Sequence, residues 1–318
     1  MRIRMSTRGH CRAGALLWLV LAFPVQAGSC EDALAAFDYA TADRRAAARL
    51  ATAPADATAR LCVARAAYES GRFDAALAQL RALERQNPQG TIRTAAYNWL
   101  TVTLRKLGRE PEAMAYGRAA LAWARREADR QNLATALHNL AGLAYTAGDP
   151  ATAVVLYRES VPLNPDLSER SASLNNLGLI AQAAGDRAAA ERWLGQAIAL
   201  NRAHGHFHHL GKHLMNLGNL KREAGEFEAA GALIDEGAAL IERAGDRYWQ
   251  AVAARYRGWL ARDRGDPAAA ERWLTEAAAI YADVGAGVDA DATRAERARL
   301  QTRIPHSNDQ PFQFKPAT

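Results

Sequence analysis

A glycine recurs at nearly constant spacing along most of the chain, and this periodicity constrains the fold more than any other feature of the sequence. The successive spacings are 37, 40, 37, 40 and 40 residues, between Gly71, Gly108, Gly148, Gly185, Gly225 and Gly265. An alanine follows each of these glycines by five residues, and a small residue (Ala, Gly or Thr) precedes each by seven. Self-similarity at a period of about 20–50 residues indicates stacked copies of one supersecondary unit.

Each unit is predicted to be a helix, a turn centred on the glycine and a second helix. Glycine adopts the left-handed conformation that ends a helix, and small residues beside the turn allow the two helices to pack closely. The position eight residues before the glycine is Leu or Val in five units and Arg257 in the sixth, and it is predicted to fill the seam between the helices. The residue nine positions after the glycine is predicted to fill the same seam: Leu80, Tyr157, Leu194, Ile234 and Leu274.

The turn glycines, the small residues, the alanines and the motifs Asn176-Leu177-Gly178 and Asn216-Leu217-Gly218 resemble the tetratricopeptide repeat family. The resemblance covers residues 57–285. It implies an all-α fold, a right-handed α-solenoid of about six helix–turn–helix repeats with flanking capping helices. The spacing exceeds the family's usual length of about 34 residues, so the helices are expected to be longer by up to about one turn. The second unit departs most from the family pattern, with Glu110 where an aromatic residue is usual and Gly117 at a seam position.

The first 27 residues have the order typical of a cleaved secretory signal peptide. Four arginines without an acid are followed by an apolar run at residues 13–23, and Val25-Gln26-Ala27 supplies small residues for cleavage. The run is shorter than the roughly 20 residues that span a bilayer, and no other stretch is comparable. We therefore expect an exported protein without a transmembrane segment in the mature chain, located in the periplasm or, alternatively, lipid-anchored in the envelope.

The segments that flank the repeats are predicted to cap them. Residues 28–56 are expected to contain an N-terminal capping helix, over residues 31–51 and with Ser29 as its N-cap. Residues 286–304 are expected to form a charged C-terminal capping helix. Residues 305–318 contain three prolines and no periodicity, so they are predicted to be disordered.

The charge balance argues against a nucleic-acid partner. The chain has 40 Lys and Arg against 34 Asp and Glu, a net charge of +6, with a pI near 9.4. The signal segment holds four of the arginines and no acid, so the remainder has 36 basic and 34 acidic residues, a net charge of +2. Because most of the basic excess lies in the signal, the basic pI does not indicate nucleic-acid binding.

Two cysteines, Cys30 and Cys62, remain after the signal segment. A disulfide between them is one interpretation, because an exported compartment is usually oxidising. Ala27-Gly28-Ser29-Cys30 also resembles the lipobox of a lipoprotein, although the usual Leu three residues before the cysteine is missing, so acylation of Cys30 is the second interpretation. Two free thiols are the third.

The sequence contains no recognisable catalytic motif and implies no cofactor, so the chain is not expected to be an enzyme. The acidic residues alternate with arginines at helical spacing, as on solvated helix faces. A run of histidines is a weak candidate for binding zinc, copper or nickel, because neutral imidazoles four residues apart share a helix face. Its members are His204, His206, His208, His209 and His213.

The resemblance implies a concave groove lined by the first helices of successive repeats. By family position, the groove residues are Arg65, Tyr68, Asn98, Arg105, His138, Tyr145, Asn175, Gln182, Lys212, Met215, Asn219, Arg222, Arg255, Trp259 and Arg262. This set is polar and basic and contains no acid, and asparagines can pair with a peptide backbone while arginines favour carboxylates. The neighbouring Asn139, Asn176 and Asn216 are expected instead to bond the adjacent repeat.

The function predicted from this groove is that of an envelope scaffold or adaptor that holds an extended or acidic segment of another protein. Charge reversal at Arg222 and Arg255, taken as exposed residues, is expected to abolish partner capture without unfolding. The alternatives are an envelope-anchored structural assembly factor, which acylation of Cys30 would favour, and a metal-binding protein that uses the histidine run.

Overall fold

The computed structural model describes residues 29–36 and 38–302, and this part of the chain is helical throughout, without strands. Its helices are α1 (Cys30–Ala35), α2 (Tyr39–Thr52), α3 (Ala57–Glu69), α4 (Phe73–Arg85), α5 (Gly90–Lys106), α6 (Glu110–Glu127), α7 (Arg130–Thr146), α8 (Pro150–Leu163), α9 (Leu167–Ala183), α10 (Arg187–His204), α11 (Phe207–Glu223), α12 (Phe227–Ala244), α13 (Arg247–Asp263), α14 (Pro267–Asp283) and α15 (Gly287–Thr302). The pairs from α3/α4 to α13/α14 are the six predicted repeats, which confirms the all-α repeat fold.

The predicted glycine turn is present in each unit, and the fourth unit shows how it works. Gly185 has a φ of 77°, and its N–H donates to the carbonyl of Gln182 at 3.0 Å. The next residue, Asp186, caps α10 by accepting a hydrogen bond from the N–H of Ala189 at 2.9 Å. The turn therefore satisfies backbone groups at the end of one helix and at the start of the next.

The small residue before each turn lies directly against the seam residue of the second helix. A Cβ added at Gly178 would lie 2.7 Å from Cγ of Leu194, and one at Gly218 would lie 2.8 Å from Cγ1 of Ile234. These distances leave no room for a side chain at Gly178 or Gly218. The predicted reason for small residues at this position, close packing of the two helices, is therefore confirmed. The atypical Gly117 is also explained, because the side chain of Leu140 from the next repeat fills its place.

The helices form two layers, and the odd-numbered helices form the inner one. From α3 to α13, each odd-numbered helix has Cα atoms within 8 Å of the next odd-numbered helix. Neighbouring even-numbered helices meet through long side chains, such as Arg125 with Glu159 at 3.1 Å and Arg202 with Glu236 at 2.7 Å. Helices that converge on one side and separate on the other produce a curved array, with the odd-numbered helices on the concave side.

The N-terminal cap differs from its prediction, because two helices replace the single helix expected over residues 31–51. Ser29 does cap α1, in a reciprocal capping box with Asp32. The chain leaves the helix after Ala35, and Asp38 caps α2 by accepting a hydrogen bond from the N–H of Thr41 at 3.0 Å. An aspartate at this position starts a new helix, since its side chain replaces a missing backbone acceptor.

A disulfide joins Cys30 at the start of α1 to Cys62 in α3, with 6.4 Å between the two Cα atoms. Cys62 is 1% exposed and packs with Ala42, Ala46 and Ala66, so the bridge lies in the small core beneath the cap. It ties the cap to the first repeat, in the arrangement that the first interpretation of the cysteines predicted.

The predicted signal peptide (1–27) and tail (305–318) lie outside the described residues. Within the described part, α15 occupies most of the predicted C-terminal capping segment and packs on α14. No helix in that part is both long and apolar enough to cross a membrane.

Candidate protein-binding groove

All fifteen predicted groove residues lie on the odd-numbered helices α3 to α13, but they differ in burial. Arg65, Tyr68, Arg105, His138, Tyr145, Gln182, Lys212 and Trp259 are half-buried on the inner layer, and Arg262 is exposed. The other six are buried, contrary to the prediction that the whole set lines an open groove: Asn98, Asn175, Met215, Asn219, Arg222 and Arg255.

Met215 is buried because α11 and α12 approach each other unusually closely around it. A Cβ at Gly237 of α12 would lie 2.6 Å from Cγ of Met215 and 2.6 Å from the carbonyl oxygen of Gly211. Met215 is fully enclosed at this contact and belongs to the core. It therefore does not face a ligand.

The buried asparagines join neighbouring repeats. Asn98 on α5 donates to the carbonyl of Asn132 on α7 at 3.1 Å. Asn216 on α11 donates to the Oδ1 of Asn175 on α9 at 2.9 Å, and it accepts from the hydroxyl of Tyr256 at 3.3 Å. Bonding across the repeats was predicted for Asn216, and Asn98 and Asn175 share this role. Those two amides hold the inner layer together and are not displayed to a peptide.

The C-terminal half of the inner face is neutralised by acids that the sequence prediction missed. Arg222 on α11 is 9% exposed and forms an ion pair with Asp263 on α13. Arg255 on α13 is 6% exposed and forms an ion pair with Glu296 on α15, and Trp259 also donates to Glu296 at 2.9 Å. The expectation of an acid-free groove with exposed arginines is therefore wrong in this half.

A regular spacing could have revealed these partners. The pairs Arg222–Asp263 and Arg255–Glu296 each span 41 residues, and the hydrogen bond from Gln182 to Glu223 does so as well. Residues one repeat period plus one position apart therefore meet on adjacent odd-numbered helices. A search for opposite charges at that separation would have found the acids.

The N-terminal half contains an arginine that is not neutralised in this way. Arg105 on α5 and Arg222 both stand three residues before their turn glycine, but Thr146 occupies the position that corresponds to Asp263. Within the described residues Arg105 forms no salt bridge, and its buried Nε has no hydrogen-bond partner. A Cβ at Gly142 would lie 2.6 Å from its Nη1, so the absence of a side chain at Gly142 makes room for the guanidinium.

The surroundings of Arg105 show the effect of its charge. Burial, and then the charge of Arg105, lower the pKa of His138 to about 4, so this imidazole is neutral at physiological pH. His138 uses its Nδ1 in a hydrogen bond with Ser173 at 2.7 Å. Burial and Arg105 also lower the pKa of the adjacent Lys106. An anion bound here would pair with the Arg105 guanidinium.

Aromatic side chains border Arg105 toward the N-terminus. Tyr68 makes edge-to-face contacts with Trp99 and Phe73, each with 5.3 Å between ring centroids. The guanidinium of Arg65 lies 5.4 Å from the centre of the Trp99 ring. We call Arg105, His138, Tyr68 and Tyr145 the Arg105 centre, since together they form the basic and aromatic middle of the inner face.

The histidine run does not form a metal site in the structure. His206 faces Ser168 at 3.3 Å, His208 pairs with Asp246 at 2.7 Å, and His213 faces Ser171 at 3.4 Å. In the part of the chain that the structure describes, no three His, Cys, Asp or Glu side chains converge as ligands. The metal hypothesis therefore has no structural support, because these side chains bond separate partners on neighbouring helices.

Lys212 was predicted to line the groove, but it pairs with Asp246 instead. The Lys212 ammonium lies 3.3 Å from Asp246, and its Nζ lies 5.3 Å from the centre of the Trp249 ring. Burial alone would raise the pKa of Asp246, but hydrogen bonds from His208 and the N–H of Trp249, with the charge of Lys212, lower it to about 2. Lys212 and His208 thus act as partners of a helix-capping aspartate.

Paired helices with a curved inner layer define the class of the protein, a helical-repeat scaffold for protein–protein interaction. Models of the tetratricopeptide repeat match residues 92–166, 170–210 and 210–283. The chain belongs to the tetratricopeptide repeat family. No curated protein sequence matches it.

Solved structures share the fold at low sequence identity. A chain of the APC/C hetero-tetramer Cut9–Hcn1 has a TM-score of 0.63 at 16% identity, over 83% of this chain and 48% of that one. The apo form of the quorum sensor NprR from B. thuringiensis has a TM-score of 0.59 at 14% identity, over 86% and 85%. A Rap protein complexed with Competence and Sporulation Factor has a TM-score of 0.58 at 13% identity, over 77% and 74%.

Proposed function

We propose that this scaffold holds an extended, acidic segment of another protein on its inner face, with the Arg105 centre as the main point of recognition. The observation that carries the proposal is the difference between two equivalent arginines. Arg222 is neutralised by Asp263 from the next repeat, whereas Thr146, which has no charge, occupies the corresponding position for Arg105. A carboxylate supplied by a partner would take the place that Asp263 takes in the fifth repeat.

The proposed ligand is a peptide because the surrounding groups suit one. Tyr68 and Tyr145 are half-buried on α3 and α7, the inner helices on either side of the helix of Arg105, and such rings bury large areas at low cost in side-chain entropy. The Rap structure, which contains Competence and Sporulation Factor, supports the idea that an array of this shape can hold a second molecule.

The proposed location is the periplasm, after export by residues 1–27. The Cys30–Cys62 disulfide supports an oxidising compartment. It also argues against the lipoprotein alternative, because acylation of Cys30 requires the thiol that the disulfide consumes. Edman sequencing of the protein purified from its host tests this location, with Gly28 as the expected first residue.

The experiment compares two charge reversals that change the net charge equally. Arg105→Glu alters the Arg105 centre, and Arg118→Glu alters an exposed arginine on the outer helix α6. Each variant, and the wild type, is used to capture proteins from envelope extract of the host. A partner that binds the wild type and Arg118→Glu but not Arg105→Glu supports the proposal, provided that the circular dichroism spectra coincide.

The affinity of that partner is then measured with a peptide from its acidic segment. Loss of a desolvated, charge-assisted contact should weaken binding by about 2–4 kcal/mol, or roughly 30- to 1,000-fold. Equal binding by Arg105→Glu would contradict the proposal and place recognition on another surface.

A further inference from the structure

The outer layer contains a cavity where the seam pattern is broken. Its volume is about 260 Å³, and it lies between α12, α13 and α14. Ile234, Leu260 and Trp273 supply its apolar walls, and the charged Asp235, Arg257, Arg264 and Asp266 also line it. It is open to solvent on one side, and its volume exceeds the roughly 150 Å³ of an enclosed apolar cavity that binds benzene, so it has room for an aromatic ring.

Two residues of this chain create the cavity. Arg257 replaces the seam Leu or Val of the other five units, and its guanidinium turns outward to bond Asp235 at 2.7 and 2.9 Å and to lie 5.0 Å from the centre of the Trp273 ring. Gly231 stands where the first three units have Leu77, Met114 and Val154. A Cβ at Gly231 would be 3.5 Å from Leu260 and from Arg264, which is an ordinary contact distance. The space is therefore left open by the sequence and is not required by the backbone.

The end of the described chain lies at the level of this cavity. Tyr248 bonds Asp289 at 3.1 Å and Arg255 pairs with Glu296, and both pairs join residues 41 positions apart. The helices α13 and α15 therefore run in the same direction in a constant register. At the same separation Thr302 corresponds to Ala261, which lines the cavity.

We propose that the segment after Thr302 docks on this cavity and inserts Phe312 or Phe314. These two residues lie ten and twelve positions beyond Thr302, and ten extended residues span about 33 Å. The route from Thr302 to the cavity passes the N-terminus of α14 and crosses two helix spacings of about 8–10 Å each, so its length is about 20 Å. Residues 303–318 lie outside the described part of the chain. We select this segment as the occupant because of its length and its attachment at Thr302.

Attachment favours this segment over an independent ligand. A short tether gives its phenylalanines an effective concentration of about a millimolar at sites within reach. Phe312 and Phe314 are two residues apart, and in a strand-like extended segment such residues point to one side. The proposed docking would place one ring in the cavity and the other over the exposed part of Trp273.

Photocrosslinking in the full-length protein tests the docking. The photoreactive residue p-benzoylphenylalanine is introduced as Phe312→p-benzoylphenylalanine or Phe314→p-benzoylphenylalanine, and crosslinks are mapped by mass spectrometry. The expected product has the mass of one chain and is linked within α12 or α14. Gly231→Leu, which fills the cavity, should reduce its yield roughly tenfold. The matched control is Gly195→Leu in α10, where no atom lies within 4 Å of an added Cβ, and it should leave the yield unchanged.

Each other result overturns the proposal. A crosslink to the same cavity with the mass of two chains would assign the cavity to a second copy. Crosslinks elsewhere on the chain, or an unchanged yield in Gly231→Leu, would exclude docking at this place. Hydrogen exchange provides a readout that does not depend on the glycine variant: exchange in the α12 and α14 peptides should be faster in Phe312→Ser/Phe314→Ser than in the wild type, and equal rates would contradict the docking.

Discussion

The guanidinium of Arg222 on α11 pairs with the carboxylate of Asp263 on α13, and the two residues are separated by 41 positions in the sequence. Arg222 also donates to the Oδ1 of Asn219 at 3.0 Å, and its guanidinium lies 5.3 Å from the centre of the Trp259 ring. The arginine is therefore held on three sides. It contributes to the joint between the fifth and sixth repeats and has little freedom to meet a ligand.

Breaking this pair is expected to destabilise the protein. Arg222→Ala and Asp263→Ala should each reduce the free energy of unfolding by about 2 kcal/mol. Each removes one partner of a largely buried charge and leaves only a second one, Arg262 for Asp263 or Glu223 for Arg222. The double variant should lose about 1–2 kcal/mol less than the sum of the single losses. Urea denaturation measures all four proteins, and additive losses would show that the pair does not interact.

Gly218 is expected to tolerate no larger residue. Gly218→Ala would place a Cβ 2.8 Å from Cγ1 of Ile234 and 3.1 Å from the carbonyl oxygen of Ala230. The resulting overpacking should cost about 1–3 kcal/mol. Gly195→Ala is the control, because nothing lies within 4 Å of its added Cβ, and it should stabilise the helix by about 0.5–1 kcal/mol. Thermal denaturation distinguishes the two, and equal melting temperatures would refute the packing argument.

Stability is expected to fall as the pH is lowered from about 6.5, and His213 should account for part of this fall. Burial, and then the nearby His209 and Lys212, lower the pKa of His213 to about 3, and burial lowers that of His209 to about 4. The unfolded chain takes up protons near pH 6.5 and the folded chain does not, so the stability present above that pH is lost below it. Each such histidine contributes up to about 1.4 kcal/mol per pH unit.

The measurement compares melting temperatures at pH 7.5 and pH 5. His213→Gln removes one titrating group from the contact with Ser171 on α9 and should show a smaller fall than the wild type. His204→Gln, an exposed histidine in the last turn of α10, should behave as the wild type does. The same fall in all three proteins would mean that His213 does not set the pH dependence.

The Cys30–Cys62 disulfide should stabilise the N-terminal cap. It closes a loop with a sequence separation of 32, and a loop of this size corresponds to about 3.7 kcal/mol. Cys30→Ser should increase hydrogen exchange in α1 and α2 and leave α13 and α14 unchanged, since repeats couple mainly to their neighbours.

Maleimide labelling tests the state of the two cysteines. Maleimide should label neither Cys30 nor Cys62 of the denatured wild type before reduction. Labelling of Cys62 alone would favour an acylated Cys30.

The repeat pattern was sufficient to predict the architecture. The turn glycines, the small residues and seam residues such as Leu194 depend on local geometry and on packing within one unit, and the structure has them as predicted. The break between α1 and α2 was missed because Asp38 was not recognised as an N-cap.

The groove was predicted less well, because burial depends on contacts between units. Family position placed Arg222 and Arg255 on the correct helices, but their acids come from the next odd-numbered helix. Met215 shows the same effect with shape, since Gly211 and Gly237 allow two helices to enclose it. The metal hypothesis for the histidine run could not be judged from the run alone, because neighbouring helices supply Ser168, Ser171 and Asp246 as separate partners.

The uneven distribution of contacts between repeats has a mechanical consequence. At its C-terminal end the inner layer is crosslinked by ionic contacts between successive odd-numbered helices, through Asp263 and Glu296. At Arg105 and Thr146 that crosslink is missing, so no ion pair of this kind opposes bending on the inner face of the joint between α5 and α7. A carboxylate bound at Arg105 would therefore give the joint between α5 and α7 the inner-face ionic contact that the joint between α11 and α13 already has, so that binding would make the curvature of the array harder to change at that place.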